Sequence, residues 1–302
     1  MKERILIILP LSILLLIGFN RVKPVTDDTK ASIIKRFWIL KTHTERKFDF
    51  LICGDSRTYR GISPTEMRSV LPNFSIFNLG YSSGSYSSFM LTKMESKLDM
   101  GASQKIILLG ITPYSLTPKA SLDGQIKQEL DRKKEEIFES IYLQPWKLFF
   151  EPVEIRWRID SLAKFKPKYI QKYYDDGWVA SDKIPPNPKE ALDEYVKDFN
   201  NNQVSEEIID HLMGQVKEWT SRGIQVFGVR PPTTIEMLKL EKELSNFDED
   251  KFVLKFKQAG GIWLEVSASR YASYDGSHLD VSSAKEFSRD LATKVGLSLK
   301  YQ

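Results

Sequence analysis

From residue 47 onwards, short apolar runs alternate with longer segments whose composition suits helices. The runs that predict strands lie at 48–54, 75–79, 105–110, 225–229 and 261–266. The segments that predict helices lie at about 63–71, 84–98, 206–222, 233–245 and 281–296. Strands that alternate with helices are typical of a parallel sheet joined by right-handed crossovers. The sequence therefore predicts an α/β fold in which ligands bind beyond the carboxyl ends of the strands.

The overall composition excludes several classes of protein. The chain has 302 residues, with 44 Lys and Arg against 40 Asp and Glu, a net charge of +4. Charges so nearly balanced argue against a nucleic-acid binder, which would carry a strongly basic face. The single cysteine, Cys53, excludes an intrachain disulfide framework and a cysteine-based zinc cluster, and three histidines leave little material for a histidine metal site. We therefore expect neither a metal nor another cofactor.

Residues 5–19 form an apolar run whose most polar residue is Ser12, directly after Lys2 and Arg4. As a helix, these 15 residues would span about 22 Å, short of a bilayer core of about 30 Å, yet they leave no polar face for a soluble helix. No pair of small residues typical of a cleavage site follows. We therefore predict an uncleaved signal anchor at residues 1–20, in preference to a cleaved signal peptide or a buried soluble helix.

Residues 21–46 are polar with one apolar patch, and they predict a tether followed by an amphipathic segment. Residues 47–302 then form the α/β domain, whose rhythm is interrupted at 117–205. This segment is too long for an ordinary connection, so we predict a helical, aromatic-rich insertion on the same domain. Its aromatic residues are Tyr142, Trp146, Phe149, Phe150, Trp157, Tyr169, Tyr173, Tyr174 and Trp178. They fit a carbohydrate-stacking surface, a membrane-facing surface or a satellite core.

The first predicted strand ends in Cys53-Gly54-Asp55-Ser56. The glycine permits a tight turn, and a serine at that point projects its hydroxyl above the sheet. If a helix begins at Ser56, its backbone N–H points to where an oxyanion would form. A serine hydroxyl is a weak nucleophile, so it needs a base that a further group orients. The same residues would also fit a plain turn with an N-cap.

A suitable base occurs near the carboxyl terminus, in Tyr274-Asp275-Gly276-Ser277-His278. Of the three histidines, only His278 has a carboxylate three residues before it. On one short loop, Asp275 can contact one imidazole nitrogen while the other nitrogen faces the serine. Each motif alone arises readily by chance. Because one follows the first strand and the other precedes the last helix, the two together predict a triad of Ser56, His278 and Asp275.

This pair of motifs on an α/β pattern resembles the SGNH, or GDSL, hydrolase superfamily. The resemblance implies a flavodoxin-like three-layer α/β/α sandwich over residues 47–300, although the identifying motifs are short. It implies that Ser56 is the nucleophile, His278 the base and Asp275 the acid that orients it. Gly80 lies where the family has its oxyanion-hole glycine, so its N–H and that of Ser56 would share the oxyanion. The alternative for Gly80 is a plain turn glycine.

The third family block departs from the pattern. Where the family commonly has Gly-x-Asn-Asp, this chain has Gly110-Ile111-Thr112-Pro113. Thr112 thus stands in place of the asparagine whose amide donates to the oxyanion, and it is a candidate donor through its hydroxyl. One lost donor typically costs about 10²–10³ in rate. Arg57, beside the predicted nucleophile, and Arg230, after the fourth predicted strand, are candidate substitutes that suit a charged or hydroxyl-rich substrate. Surface arginines at strand ends are the alternative interpretation.

The anchor and the altered third block resemble the extracytoplasmic branch of the superfamily that transfers acyl groups on cell-envelope polymers, often beside a multispanning membrane acyltransferase. The resemblance implies a serine esterase or O-acyltransferase, held in the cytoplasmic membrane by residues 5–19 with its catalytic domain outside (in the periplasm of a Gram-negative cell). Its substrate would be an acyl ester of a glycan or polymer. Two alternatives stay open: a catalytically degenerate module that binds a glycan or membrane partner, and a lipid-acting esterase.

Overall fold

The computed structural model of the chain describes residues 2–21, 27–147 and 168–300. The aromatic positions Phe149, Phe150 and Trp157 of the predicted insertion therefore lie outside the described residues. The chain divides into two compact units. One contains Met1–Thr44 and Glu129–Lys166, and the other contains Glu45–Gln128 and Pro167–Gln302.

Seven strands and fourteen α-helices are present in the described residues. The strands are β1 (Phe50–Gly54), β2 (Ile76–Asn78), β3 (Ile106–Gly110), β4 (Lys168–Tyr173), β5 (Val179–Ile184), β6 (Gln225–Val229) and β7 (Ile262–Trp263). The helices are α1 (Lys2–Arg21), α2 (Asp27–His43), α3 (Ser56–Gly61), α4 (Pro64–Arg68), α5 (Ser88–Lys97), α6 (Pro118–Asp123), α7 (Gln125–Leu130), α8 (Lys134–Phe138), α9 (Gln144–Lys147), α10 (Leu192–Asp198), α11 (Glu206–Ser221), α12 (Ile235–Leu244), α13 (Glu249–Gln258) and α14 (Val281–Lys300). Short 3-10 turns occur at Tyr114–Leu116 and Ala268–Arg270, and a π-helical turn at Glu139–Leu143.

The first unit is helical in the part that the structure describes. In α2, Trp38 and Ile39 are buried, whereas α1 exposes a series of large apolar side chains. These are Ile8, Leu11, Ile13, Leu14, Leu15, Leu16 and Phe19. Among the described residues, no helix has both the length and the apolar character that crossing a membrane requires.

The second unit is built on a sheet of five parallel strands in the order β2-β1-β3-β6-β7. In the register of this sheet, Leu51 of β1 lies opposite Phe77 of β2 and Ile107 of β3. From β1 the chain first adds β2 on one side of the sheet. It then returns to the other side of β1 and adds β3, β6 and β7 in turn. This is the flavodoxin-like order, in which the switch in winding beside the first strand opens a crevice for ligands.

Both faces of the sheet are buried, which is why its strands are uninterrupted apolar runs. Successive side chains of a strand point to opposite faces. On one face, Phe50 and Ile52 share a core with Phe287 and Leu291 of α14. Leu51 points to the other face, where α5 packs against β1. Helices on both faces give the three-layer α/β/α architecture that the family resemblance implies.

All five predicted strands of the sheet are present, although four are shorter than their apolar runs. Two elements were not predicted: helix α13, and the antiparallel hairpin of β4 and β5 inside the predicted insertion. The hairpin turns at Gly177, whose φ of +86° suits glycine. A Cβ at this position would lie 1.9 Å from the carbonyl oxygen of Asn78, so the turn depends on close contact with the main sheet.

The carboxyl ends of β1, β2, β3 and β6 lie along one edge of the sheet. Because the strands are parallel, the residues that follow them meet at this edge. Ser56, Gly80, Thr112 and Arg230 are all within two residues of a strand end. The fold therefore brings these four residues to one side of the molecule, and the contacts of each decide what it can do.

Candidate active site

The turn after β1 is shaped by two strand-end glycines. A Cβ on Gly54 would lie 2.2 Å from Oγ1 of Thr58, and a Cβ on Gly110 would lie 2.0 Å from the same atom. Their absence of side chains lets the first turn of α3 sit directly on β1 and β3. Asp55 caps this helix by accepting a hydrogen bond from the Arg57 N–H at 2.9 Å. Ser56 is then the first residue of α3.

The other end of α3 is held by two side chains from elsewhere in the fold. Nδ2 of Asn78 donates to the carbonyls of Thr58 at 3.0 Å and Ile62 at 2.8 Å. The Trp178 indole N–H donates to the carbonyl of Arg60 at 2.8 Å. The carbonyls of Arg60 and Ile62 are groups that a helix end leaves without partners, whereas that of Thr58 also accepts the Ile62 N–H. These bonds fix the helix that carries Ser56.

A continuous hydrogen-bonded series joins the three predicted triad residues. Nε2 of His278 lies 2.9 Å from Oγ of Ser56, and Nδ1 lies 2.7 Å from Oδ2 of Asp275. The second carboxylate oxygen, Oδ1, accepts the backbone N–H groups of Ser277 at 2.8 Å and His278 at 2.7 Å. The carboxylate thus fixes the ring through Nδ1, which leaves Nε2 to accept the serine proton.

The loop that carries Asp275 and His278 depends on Gly276. This residue has φ of +97°, and a Cβ on it would lie 2.0 Å from the carbonyl oxygen of Pro188. Its own carbonyl accepts hydrogen bonds from the hydroxyls of Thr233 at 2.6 Å and Thr234 at 3.0 Å. The segment before α12 and the proline-rich segment after β5 therefore both support the triad loop.

The electrostatics of the site keep His278 neutral at neutral pH. Burial and the nearby positive charge of Arg60 lower the pKa of His278 to about 4, although Asp275 acts in the opposite direction. Burial opposes ionisation of Asp275, but its hydrogen bonds from His278 lower the pKa of that carboxyl to about 2. At neutral pH the imidazole is therefore unprotonated and the carboxylate is charged, the states in which a base accepts a proton from serine.

Arg57, predicted to contact substrate, is instead buried inside the protein. Its guanidinium forms an ion pair at 2.8 Å with Glu241, and both side chains are 1% exposed or less. Nε donates to the Ser277 hydroxyl at 2.9 Å, and the guanidinium lies over the ring of Tyr195. A group so enclosed does not reach a substrate, so the prediction for Arg57 is corrected. It connects α3, which carries Ser56, to the loop that carries Asp275 and His278.

Arg230 is held by carboxylates as well. It pairs with Glu241 at 2.9 Å and also with Glu249. It lines a cavity of about 780 Å³ beyond the ends of β6 and β7, whose lining includes none of the three triad residues. The structure therefore does not bring Arg230 together with the triad as a substitute oxyanion donor.

The predicted oxyanion donor at Gly80 is already engaged. Its N–H donates to Oδ1 of Asn78 at 3.0 Å, and the Asn78 side chain is fully buried. A backbone N–H has one hydrogen, so in this arrangement it has none for a substrate. Gly80 thus occupies the expected strand end, but its N–H serves the turn.

The Thr112 hydroxyl is engaged in the same way. It donates to Oδ2 of Asp55 at 2.5 Å and is fully buried. Burial raises the pKa of Asp55, while Arg57 and the hydrogen bond from Thr112 favour its charged form. The single hydroxyl hydrogen stabilises the carboxylate that caps α3. The prediction that it would donate to an oxyanion is corrected for this reason.

The Ser56 N–H is the one predicted oxyanion donor that has no acceptor among the described residues. Asp55 accepts from Arg57 through its side chain and from Thr58 and Tyr59 through its carbonyl, so the first N–H of α3 is left over. It stays the sequence-based candidate for this role.

The aromatic residues of the predicted insertion serve different purposes. Trp178 is buried and stacks on Tyr174, with ring centroids 4.8 Å apart. Tyr169 is 46% exposed, and its ring centroid lies 6.0 Å from that of Tyr274, the residue before Asp275. Part of the insertion is therefore core and part lies next to the triad loop. In the other unit, Tyr142 and Trp146 are exposed.

Several residues at the site were missed by the sequence analysis. Ser277 and Glu241 hold Arg57, and Arg60 lies close enough to lower the pKa of His278. Arg60 had a local signal, because residues four apart on a helix share a face, and it lies four residues after Ser56. Glu241 had none, since 184 residues separate it from Arg57.

Comparison with known proteins adds little to this geometry. No protein-family model matches the chain, and no curated protein matches it. Among solved structures, the fold is similar to that of a Streptococcus pneumonia protein described as a platelet activating factor, with 11% sequence identity and a TM-score of 0.38. The match covers 87% of this chain and 93% of that chain.

Proposed function

We propose that this protein is a serine esterase or O-acyltransferase that works through an acyl-enzyme on Ser56. The observation that carries the proposal is the hydrogen-bonded series Ser56–His278–Asp275. Oγ of Ser56 attacks the ester carbonyl while its proton passes to Nε2 of His278. The tetrahedral intermediate then collapses, and His278 gives the proton to the departing alcohol. Water or an acceptor hydroxyl, deprotonated by His278, takes the acyl group and restores the serine.

The proposal extends to where and on what the enzyme acts. The resemblance to membrane-tethered acyl-transfer proteins favours an acyl ester of a cell-envelope glycan or polymer as substrate, outside the cytoplasmic membrane. The exposed apolar side chains of α1 favour contact of this helix with a membrane, since a soluble protein rarely exposes such a contiguous apolar surface. The anchor at residues 5–19 itself rests on the sequence and the resemblance. A multispanning membrane acyltransferase is the proposed partner that would supply the acyl group.

Covalent labelling tests the chemistry directly. The full-length protein, in mild detergent, is treated with a fluorophosphonate and analysed by peptide mass spectrometry, and aryl acetate turnover is measured alongside. We expect one adduct, on Ser56, that is lost in Ser56→Ala and His278→Ala. Ser69→Ala, an exposed serine on the same unit, is the matched control and should label normally. Turnover undiminished in Ser56→Ala would contradict the mechanism.

A second candidate function is favoured by one observation: the N–H of Gly80 and the hydroxyl of Thr112 are both bonded internally. A module that only binds a glycan or a membrane partner needs no oxyanion hole. This candidate predicts no fluorophosphonate adduct on folded protein, together with glycan binding that Ser56→Ala leaves intact. The esterase predicts the opposite labelling result.

A lipid-acting esterase is a variant of the first candidate, and the exposed apolar face of α1 is its support. The two differ in the length of the acyl chain they prefer. Acetyl and long-chain 4-nitrophenyl esters should therefore be compared on the same preparation. A higher kcat/KM for the long chains would count against acetyl transfer and for lipid substrates.

A further inference from the structure

Helix α3 carries a second arginine besides Arg57. This residue, Arg60, lies on the same face of the helix as Ser56. Residues four apart on an α-helix are neighbours on its surface, with Cβ atoms about 5–6 Å apart. Nη1 of Arg60 donates to the hydroxyl of Tyr274 at 3.2 Å, and the ring of Tyr274 stacks on His278 with centroids 5.9 Å apart. One tyrosine ring thus contacts both the base and the Arg60 guanidinium.

The polar surroundings of Arg60 consist of tyrosines. Nε donates to the hydroxyl of Tyr59 at 3.1 Å, and the guanidinium lies over the rings of Tyr59 and Tyr169, at 5.3 Å and 6.0 Å from their centroids. No Asp or Glu in the described part of the chain forms an ion pair or hydrogen bond with Arg60. Nη2 donates to no acceptor there either.

This arrangement differs from that of the other arginines on the ligand edge of the sheet. Arg57 and Arg230 are each neutralised by Glu241, and Arg230 by Glu249 as well. A partly buried guanidinium without a carboxylate costs free energy that a bound anion would recover. Arg60 is only partly buried, and its free Nη2 can form one arm of a bidentate contact with a carboxylate or phosphate.

We propose that Arg60 forms an anion subsite beside the triad, which binds a carboxylate or phosphate group carried by the ester substrate. This inference rests on the proposed esterase function and narrows its substrate to anionic esters. Tyr169, the exposed member of the three tyrosines around Arg60, would contact the part of the substrate next to the anionic group. The alternative is that Arg60 only positions the triad loop through Tyr274.

Matched esters separate binding from positioning. Phenyl acetate, 4-acetoxybenzoate and 4-acetoxyphenyl phosphate share a reacting acetyl group and differ in charge. In Arg60→Gln, kcat/KM should fall about 10- to 100-fold more for the two anionic esters than for phenyl acetate, the size of a lost charged hydrogen bond. Arg60→Lys should lose less than Arg60→Gln, because it keeps the charge. The ester that loses more identifies the anion as carboxylate or phosphate.

Two further variants act as controls. Tyr274→Phe removes the hydroxyl that Arg60 contacts but leaves the charge of Arg60 in place. It should therefore lower the rates for neutral and anionic esters equally. Arg222→Gln removes an exposed arginine that pairs with Glu95, and it should change neither rate. Equal losses on all three esters in Arg60→Gln would overturn the subsite. If Arg60→Gln does not fold, the same comparison is made with Arg60→Lys. A selective loss of kcat/KM on the anionic esters then supports the subsite, and the absence of such a loss overturns it.

Binding without turnover keeps this test independent of the proposed function. Phenyl phosphate and benzoate are titrated into wild type and the Arg60 variants by calorimetry, with phenol as the neutral control. Binding of either anion that weakens at least tenfold in the variant supports the subsite even if Ser56 carries no fluorophosphonate adduct. Absence of anion binding to wild type, or equal affinity in the variant, would refute it. The Ser56 adduct separately decides whether the esterase proposal holds.

Discussion

The two halves of the predicted catalytic apparatus differ in where their hydrogen bonds go. In the triad half, formed by Ser56, Asp275 and His278, the side chains bond to one another and leave the serine hydroxyl at the surface of the site. In the oxyanion half, formed by Gly80 and Thr112, both donors bond to buried acceptors of the protein, Asn78 and Asp55. Position at a strand end is therefore insufficient, because a donor is available only when no internal acceptor claims it.

Breaking the triad half should produce the largest effect. Asp275→Asn keeps the shape of the side chain but removes the charge that favours a proton on Nδ1 of His278. We expect kcat for aryl acetates to fall about 10⁴-fold, because the imidazole then presents the wrong nitrogen to Ser56. Steady-state kinetics measure the loss. Asp280→Asn, on the same loop, is the control, and a loss below about tenfold in Asp275→Asn would mean that the carboxylate does not orient the base.

The connection between α3 and the triad loop should show the next largest effect. Arg57→Met leaves Glu241 with only its contacts to Arg230, so the free energy of unfolding should fall by about 3–5 kcal/mol, as expected when one partner of a buried ion pair is removed. Adding Glu241→Leu should recover part of this loss. Denaturant unfolding checks both variants. The exposed pair of Arg222 and Glu95 provides the comparison, and Arg222→Met should cost less than about 1 kcal/mol. A similar cost for both arginines would contradict the structural role of Arg57.

The pH dependence of the rate tests the electrostatics of the triad half. Burial, Arg60 and Arg57 lower the pKa of His278 and Asp275 raises it, with a net value of about 4. Because the base must be unprotonated, kcat/KM should be half-maximal near pH 4 and constant above that pH. A histidine with the ordinary pKa of 6.5 would instead give a midpoint near pH 6.5. The unfolded chain binds a proton on this histidine that the folded chain does not, so stability should decrease as pH falls from about 6.5 to 4.

The pH measurement needs a check that the protein stays folded, which circular dichroism at each pH provides. His211→Gln, which alters an exposed histidine in α11, should leave the rate profile in place. A midpoint near 6.5 in folded protein would show that His278 is more accessible to water than the structure has it.

The oxyanion half should give the smallest change. Thr112→Val keeps the shape but removes the hydrogen bond to Asp55, so the free energy of unfolding should fall by about 1–2 kcal/mol. We expect kcat to fall less than tenfold, against the roughly 10²–10³ typical of a lost oxyanion donor. Ser115→Ala, which removes a hydroxyl that donates to the Thr112 carbonyl, is the neighbouring control. A hundredfold loss of kcat with little loss of stability would place Thr112 in the oxyanion hole after all.

Prediction from sequence succeeded where the signal was local or repeated. The strands β1 and β3 are apolar at every position because both faces of the sheet are covered. Asp275 and His278 are three residues apart on one turn, so their contact needs little from the rest of the fold. Helix α13 was missed although its polar and apolar residues follow the helical period. The β4–β5 hairpin was not predicted, because neither of its strands alternates regularly between polar and apolar residues.

The sequence by itself determined the α/β architecture and the contact of Asp275 with His278, since apolar period and short-range spacing are properties of the chain. The approach of Ser56 to His278, 222 residues away, needed the tertiary structure. The tertiary structure decided which of the other candidates can act. Arg57 meets Glu241, Gly80 meets the Asn78 side chain, and Thr112 meets Asp55. In the part of the chain that the structure describes, the Arg60 guanidinium donates hydrogen bonds only to tyrosine hydroxyls. A buried polar group takes whichever partner the fold brings within about 3 Å, and that partner is not encoded near it in sequence.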